Sequence, residues 1–235
     1  MESRLFTGAT PASHFATQRE ISARARDLYD TWTDDYDHKL LGECGYRAPA
    51  RVARVFHELP RHSFAADLPW LDLAAGSGLV GRALTEANIE LPLIAVDFSR
   101  TMLSKLSAPC YIACVDAEVL RADGLRESPG WPKALGGAFA VGLSEYVADL
   151  SELFRVCAAL LPPQAPLIFS YCPSASADCE VFEPFNGLLA HSEQHVNKAL
   201  TTQGFALLSQ HDGLGYQTAG QDVMHRIVLA ERRSA

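Results

Sequence analysis

The chain alternates between short, almost wholly apolar runs and longer amphipathic stretches. Between most of the apolar runs, hydrophobic residues recur at helical spacing, over Leu79–Ala87, Ser99–Leu106 and Leu150–Leu161. Strands that are apolar on both faces and alternate with helices are typical of a parallel sheet covered by helices on both sides. The pattern therefore predicts an α/β fold, with strands at Trp70–Leu73, Leu93–Val96, Tyr111–Val115, Ala138–Leu143 and Leu167–Tyr171.

The segment before this alternating region is built differently. Residues 1 to about 18 are rich in Thr, Ala, Ser and Pro and predict a loose arm. Apolar residues then recur at helical spacing from Ile21 to Tyr36. A second helix is predicted to open at Pro49, because proline is favoured in the first turn of a helix. We expect residues 1–65 to form this arm and a helical cap or lid.

After the fifth strand the pattern becomes irregular, over residues 172–190. A helix is predicted over Ser192–Leu200, followed by two strands at Phe205–Gln210 and His225–Glu231. We expect residues 66–235 to form the core of a single structural domain, with a substrate-side insertion at about 172–195.

Composition and charge narrow the function classes. Of the 235 residues, 48% are hydrophobic and 20% are charged, which is typical of a folded globular protein. The net charge of −8 disfavours nucleic acid as a partner, because phosphate binding needs a basic surface. No apolar run is long enough for a transmembrane helix, so we expect no membrane partner.

The cysteines and the N-terminus indicate a compartment. None of the six cysteines forms a CxxC pair and no histidines complete a zinc-binding pattern, so we predict no metal site. The first residues lack the basic-then-apolar pattern of a secretory signal. We therefore expect reduced cysteines and a cytoplasmic protein.

A glycine-rich segment, LDLAAGSGLVG, spans residues 71–81 at the end of the first predicted strand. Gly76, Gly78 and Gly81 satisfy the pattern GxGxxG, in which glycines let the backbone approach a ligand closely. Asp97 follows Gly78 by 19 residues. This spacing fits NAD, FAD or an adenosyl cofactor and does not separate them.

Three acids lie in or at the ends of the first three predicted strands. Asp72 lies ahead of the glycines, where an acid suits a cationic ligand group such as an amino group. Asp97 ends the second strand, where its carboxylate can accept from both hydroxyls of a ribose. Asp116 ends the third, where it can accept from an adenine amino group. Although each acid alone is also a typical helix cap, the three together favour an adenosyl cofactor at the carboxyl edge of the sheet.

Together these residues resemble the class I S-adenosylmethionine-dependent methyltransferases, from about Leu28 to Glu231. The resemblance implies a Rossmann-like, seven-stranded, mostly parallel sheet with an antiparallel last strand, helices on both faces and an N-terminal helical cap. It implies S-adenosylmethionine as the cofactor and S-adenosylhomocysteine as its product. The residues implied to bind the cofactor are Asp72, Ala74, Gly76, Gly78, Asp97, Phe98, Met102, Asp116, Ala117, Leu143 and the lid residue Tyr36.

Methyl transfer requires a nucleophile aligned with the methyl group and the exclusion of water, whereas a general base is optional. Glu145, just past the fourth strand, is the first candidate for orienting the acceptor or taking its proton, and His191 is the second. We expect a small, neutral or cationic, partly apolar acceptor, and a protein that is a monomer or a homodimer. The residues predicted to contact the substrate are the aromatic residues Tyr29, Trp32, Tyr146, Phe182 and Phe185.

Two other functions share part of this pattern. An NAD-dependent oxidoreductase uses the same glycine pattern, but it would need a hydride-site pair such as Tyr-x-x-x-Lys, which we do not find. A non-catalytic adenosyl-binding module would keep the cofactor residues and need no base, and the sequence leaves this function open.

Overall fold

The computed structural model describes residues 17–31, 35–59, 67–121, 125, 131–174, 179–182, 188–218 and 220–234. Within these residues seven strands form one sheet, and two more form a separate hairpin. In chain order the strands are β1 (Trp70–Leu73), β2 (Leu93–Asp97), β3 (Tyr111–Asp116), β4 (Gly137–Ala140), β5 (Pro166–Tyr171), β6 (Cys179–Phe182), β7 (Leu188–His191), β8 (Phe205–Thr218) and β9 (Gln221–Arg232).

The described helices lie before, between and after these strands. Several begin at a side chain that accepts a hydrogen bond from the first turn, as Ser99, Asp149 and Ser192 do. A short π-helical segment (His38–Glu43) and a 3₁₀ turn (Ser144–Tyr146) complete the regular structure of this part of the chain. The α-helices are α1 (Gln18–Thr31), α2 (Ala48–Phe56), α3 (Leu79–Glu86), α4 (Arg100–Leu103), α5 (Leu150–Leu160) and α6 (Glu193–Thr202).

The strands of the main sheet follow the order β3-β2-β1-β4-β5-β9-β8. The first five are parallel, and β9 runs antiparallel to both β5 and β8. From β1 the chain first proceeds to β2 and β3 on one side and then to β4 and β5 on the other. Ligands of open α/β sheets bind where the order reverses in this way, at the carboxyl ends of the strands. The predicted seven-stranded α/β fold is confirmed.

Two apolar layers cover the faces of the sheet. Alternate residues of β1 enter opposite layers, because successive side chains of a strand point to opposite faces: Leu71 and Leu73 enter one, and Trp70 the other. In the second layer the ring of Phe56 from α2 lies 5.4 Å from that of Trp70, centroid to centroid. Helix α2, predicted as part of the cap, is therefore packed into the core. No helix within the described ranges is long and apolar enough to cross a membrane.

Several elements differ from the prediction. Strand β4 ends at Ala140 because Gly142, with a φ of +72°, turns the chain away from the sheet. The segment 172–190, predicted to be irregular, contains β6 and β7, so that prediction was wrong for these residues. Helix α1 is described to Thr31, and the predicted continuation through Trp32 lies outside the described residues.

Candidate functional site

A cavity of about 260 Å³ runs along the carboxyl edge of the sheet. Its floor is formed by the segments that follow β1, β2 and β4, and it extends to Tyr216 of β8 and His225 of β9. Helix α1 and the segment from Tyr36 to Pro49 form its cover. The cavity thus lies at the reversal of strand order where a ligand is expected.

The loop after β1 has an unusual backbone. Ala74, Gly76 and Gly78 have φ angles of +58°, +54° and +87°. Side chains rarely adopt this left-handed conformation, so Ala74, which carries one, is the strained position. Open space surrounds the position that a Cβ atom on Gly76 would occupy. The loop therefore presents bare backbone to the cavity.

Asp97, the last residue of β2, connects this loop to the cavity wall. Its Oδ2 accepts a hydrogen bond from the Gly76 amide at 2.9 Å, and its Oδ1 accepts one from the Ser99 amide at 2.8 Å. The side chain is buried and lines the cavity, and burial raises its pKa. Because each carboxylate oxygen accepts more than one hydrogen bond, Asp97 keeps capacity for two ligand hydroxyls.

Asp72 has a different environment. Its carboxylate is buried and accepts a hydrogen bond at 2.5 Å from the Tyr111 hydroxyl, which itself accepts from the Gly81 amide at 3.1 Å. Burial raises the pKa of Asp72 to about 7. Asp72 is not among the described residues that line the cavity, so in this conformation its partner is Tyr111 and not a ligand.

At the opposite end of the cavity, a second acid meets a histidine. Oε1 of Glu145, in the 3₁₀ turn, lies 3.3 Å from Nε2 of His225 on β9. Both side chains are almost fully buried, at 4% and 2% exposed. Burial raises the pKa of Glu145 to about 7 and lowers that of His225 to about 3. Burial thus favours the uncharged form of both groups.

Tyrosine rings enclose the middle of the cavity. The hydroxyl groups of Tyr29 and Tyr146 lie 3.1 Å apart, and their ring centroids are separated by 5.9 Å. Tyr36 packs against Tyr29 at 6.0 Å, and all three rings line the cavity. They provide an apolar wall with polar tips.

Solved structures share this arrangement of elements. The 1,6-didemethyltoxoflavin-N1-methyltransferase of Burkholderia thailandensis, crystallised with 1,6-didemethyltoxoflavin and S-adenosylhomocysteine, matches with a TM-score of 0.67. The identity is 16%, and the match covers 100% of this chain and 98% of that one. Magnesium protoporphyrin IX methyltransferase from Synechocystis PCC 6803, with bound S-adenosylmethionine, matches with a TM-score of 0.56. The identity is 16%, and the match covers 95% of this chain and 100% of that one. This chain has the class I methyltransferase fold.

The same fold also occurs in the [4+2]-cyclase SpnF, with a TM-score of 0.59 and 12% identity over 79% of this chain and 81% of that one. No protein-family model matches the sequence, and the comparison with curated proteins gives no match. The likeness therefore establishes the methyltransferase fold, and the chemistry has to be argued from the site.

Within this methyltransferase fold, the predicted cofactor residues divide into two groups. Tyr36, Ala74, Gly76, Asp97, Phe98 and Leu143 line the cavity. Met102 is fully buried, so it has no surface for a ligand in this conformation. Asp116 is paired with Arg100, and Ala117 donates its amide hydrogen to the Asp97 carbonyl at 3.0 Å. Gly78, Asp116 and Ala117 lie outside the described lining, and their contact with a cofactor stays a prediction.

The predicted substrate residues are also divided. Tyr29, Tyr146 and Glu145 line the cavity. Phe182 belongs to β6, whose side chains are not described, and Trp32 and Phe185 lie outside the described residues.

His191, proposed as a second candidate base, lies outside the cavity lining. It is completely buried, its Nε2 lies 2.9 Å from the Ser144 carbonyl oxygen, and its ring stacks on that of His195 at 5.4 Å. Burial lowers the pKa of His191 to about 4. His191 does not line the cavity, so in this structure it supports the turn that carries Glu145 and does not face a substrate.

Several residues of the site were not singled out from the sequence. His225, Tyr46 and Tyr216 line the same end of the cavity as Glu145, with ring centroids 5.5–6.3 Å apart. Tyr46 precedes α2, whereas Tyr216 and His225 lie on the paired strands β8 and β9, and the three residues carry no common motif. Only the sheet topology brings them together.

The cap is joined to the glycine loop through one acid. Asp37 accepts hydrogen bonds from the Ser77 hydroxyl and from the Arg82 guanidinium, both at 2.5 Å. Gln18 of α1 joins the cap to the 3₁₀ turn, donating to the Tyr146 carbonyl at 2.8 Å and accepting from the Ala148 amide at 3.0 Å. The cap therefore contacts both segments that border the cavity.

Replacing Asp37 with alanine is expected to loosen the cap, because it removes both bonds to the loop and to α3. Limited proteolysis should then cleave the segment before residue 40 several-fold faster than in the unsubstituted protein, and S-adenosylhomocysteine should slow that cleavage. Asp35→Ala is the matched control, because Asp35 is exposed and outside this contact. Equal cleavage of all three proteins would show that Asp37 does not hold the cap.

The buried Glu145 predicts a pH-dependent stability. Its pKa is raised from the usual 4.5 to about 7, so the unfolded chain loses this proton at a lower pH than the folded one. The stability that the protonated Glu145 contributes to the folded state is therefore lost as the pH rises from 4.5 to 7. Glutamine carries no such proton, so the variant does not lose this stability as the pH rises. The difference in the free energy of unfolding between Glu145→Gln and the unsubstituted protein should therefore increase, in favour of the variant, by about 3 kcal/mol from pH 4.5 to pH 8. Urea unfolding at the two pH values measures this, and an equal difference at both would contradict it.

Proposed function

We propose that this protein transfers the methyl group of S-adenosylmethionine to a small-molecule acceptor. The observation that carries the proposal is the Asp97 carboxylate, which lies in the cavity wall at the end of β2 beside the bare backbone of Gly76. A carboxylate so placed is suited to accept from both hydroxyls of an adenosyl ribose, with charge-assisted bonds.

The residues around Asp97 fit the rest of this cofactor. Phe98 and Leu143 offer apolar contact for an adenine, and the left-handed loop leaves room for the methionine part. The described lining contains two carboxyl groups and no lysine or arginine. With the Asp97 carboxylate beside the loop and no cation in this lining, the site suits a cationic sulfonium and is unfavourable for the two phosphates of NAD, which supports the adenosyl cofactor over the dinucleotide.

A small acceptor is supported by the shape of the site. The cavity is about 260 Å³, and α1 and the Tyr36–Pro49 segment cover it, which favours an acceptor small enough to be enclosed. The two methyltransferases compared above are named for small acceptors. The net charge of −8 is also unfavourable for a nucleic acid.

When bound, S-adenosylmethionine supplies an electrophilic methyl group. Asp97 would fix the cofactor, and the rings of Tyr29, Tyr36 and Tyr146 would exclude water and hold the acceptor in line. Alignment of two reactants in a dry cavity is itself a large part of catalysis of this kind.

A direct test supplies the full chain with S-adenosylmethionine and a panel of small phenols, heteroaromatic N–H compounds, thiols and amines. We expect S-adenosylhomocysteine to form above the acceptor-free blank for at least one class, with a product heavier by one methylene unit. Turnover of a substrate without consumption of S-adenosylmethionine, as a cyclase on this fold would show, would contradict the proposal.

A further inference from the structure

The Glu145–His225 pair lies on the β4 and β9 side of the cavity, whereas Asp97 lies at the end of β2. In the sheet order, β9 is four strand positions from β2. At a strand spacing of about 4.8 Å this places His225 about 19 Å from Asp97 across the sheet. A cofactor anchored at Asp97 and the glycine loop therefore leaves the β9 end of the cavity to the acceptor.

The polar atoms of this pair lack hydrogen-bond partners. Neither carboxylate oxygen of Glu145 and neither ring nitrogen of His225 makes a hydrogen bond within the described residues, although the two groups face each other at 3.3 Å. A buried polar group without a partner is costly, and a ligand that donates a hydrogen bond relieves that cost.

The surroundings of the pair restrict the chemistry of that ligand. The rings of Tyr46 and Tyr216 pack edge-on against His225, with centroids at 6.0 and 5.5 Å, and Tyr146 adjoins Glu145 in the turn. Arg51 of α2 is a cation on this side of the site, and its guanidinium donates to the carbonyl oxygens of His211, Gly213 and His225. An anionic acceptor would thus meet Glu145 with no free cation among the described lining residues.

We propose that the Glu145–His225 pair recognises a neutral, planar aromatic acceptor through its ionisable O–H or N–H group and receives its proton. This inference rests on the proposed methyl transfer. Glu145 is the catalytic residue, and His225 is a positioning residue that holds the Glu145 carboxylate. Because the polar atoms of both are covered, the acceptor reaches Glu145 when the adjacent tyrosine rings shift.

The reaction at this site is balanced. A lone pair of the acceptor oxygen or nitrogen forms the bond to the methyl carbon, and the carbon–sulfur bond breaks with its electron pair remaining on sulfur. The O–H or N–H proton moves to the Glu145 carboxylate, which later releases it to water.

The test uses the full chain saturated with S-adenosylhomocysteine and three fluorescent probes. These are 2-naphthol, which has a donor, 2-methoxynaphthalene, which has none, and 2-naphthoate, which is anionic. At pH 8 we expect 2-naphthol to bind about tenfold more tightly than its methyl ether, as one hydrogen bond to a carboxylate implies. The naphthoate should bind most weakly, and the preference for naphthol should decline below pH 7 as Glu145 takes up a proton.

The variants separate the two roles. Glu145→Gln should remove both the tenfold preference and its pH dependence. His225→Phe should move the pH midpoint upward, because it replaces the polar ring that faces the Glu145 carboxylate at 3.3 Å with an apolar one, and His225→Asn should restore part of the shift. The chain offers a matched control, since Glu58 and His211 form an exposed pair at 2.9 Å. Glu58→Gln and His211→Asn should change none of these values.

Each outcome bears on a separate claim. Equal binding of 2-naphthol and its ether to the unsubstituted protein would overturn this inference, as would an undiminished preference in Glu145→Gln. Both results apply only if S-adenosylhomocysteine binds, which is measured first. Failure of that first step would overturn the proposed function itself.

Discussion

Replacing Asp97 with alanine is expected to weaken S-adenosylhomocysteine binding about 100-fold. The substitution removes two charge-assisted hydrogen bonds to the ribose, which together contribute about 3 kcal/mol. It also leaves the amides of Gly76 and Ser99 without their present acceptor, so the loop loses its anchor. Isothermal titration of the folded variant measures the change.

Asp116→Ala provides the comparison for this prediction. Asp116 also ends a strand, but it is exposed, paired with Arg100 and absent from the described cavity lining. We expect a smaller loss, of about tenfold at most, because the substitution removes only the one predicted hydrogen bond from the adenine amino group. If Asp116→Ala weakened binding as strongly as Asp97→Ala, the cofactor would occupy the β3 side of the edge and not the cavity described above.

Replacing Gly81 with alanine is expected to lower the free energy of unfolding by about 3 kcal/mol. A Cβ atom at this position would lie 2.4 Å from the Tyr111 ring and 2.8 Å from the Cys110 sulfur. Tyr111 would have to move, and the buried Asp72 would then lose its hydrogen bond from the Tyr111 hydroxyl. The melting temperature should fall by roughly 6–12 °C.

Gly76→Ala provides the comparison. Gly76 has a left-handed backbone, but open space surrounds the position of its Cβ. We expect a smaller loss, of about 1–2 kcal/mol, from backbone strain alone. Equal losses for the two variants would show that the Tyr111 ring accommodates the added methyl group at little cost.

Much of the fold was predictable because its central strands are buried on both faces. Such strands carry continuous apolar runs, and β1, β2 and β5 were predicted to within one residue at each end. Strand β3 was predicted equally closely, although it lies at the edge of the sheet and is largely exposed. Strand β8 was predicted to end at Gln210 but continues to Thr218, since its outer half is partly exposed and carries no apolar run. The β6–β7 hairpin has strands of only four residues, too short for a clear period.

The acidic residues of the candidate site were predictable where they end a parallel strand or lie in the turn beyond it. Asp97 and Glu145 meet this condition, because the carboxyl ends of β2 and β4 fix their place at the sheet edge. His225 enters the site from an antiparallel strand, and nothing local in the sequence reports that arrangement. Asp72 was predicted to face a ligand, but its carboxylate accepts a hydrogen bond from Tyr111 on β3, two strands away in the sheet.

The central claim is that this cavity holds an adenosyl cofactor, and a paired titration tests it most directly. The full chain is titrated with S-adenosylhomocysteine and, separately, with NAD at the same pH and ionic strength. The account predicts saturable binding of S-adenosylhomocysteine with one site per chain and far weaker binding of NAD. Tighter binding of NAD, or no binding of S-adenosylhomocysteine to the folded protein, would contradict it.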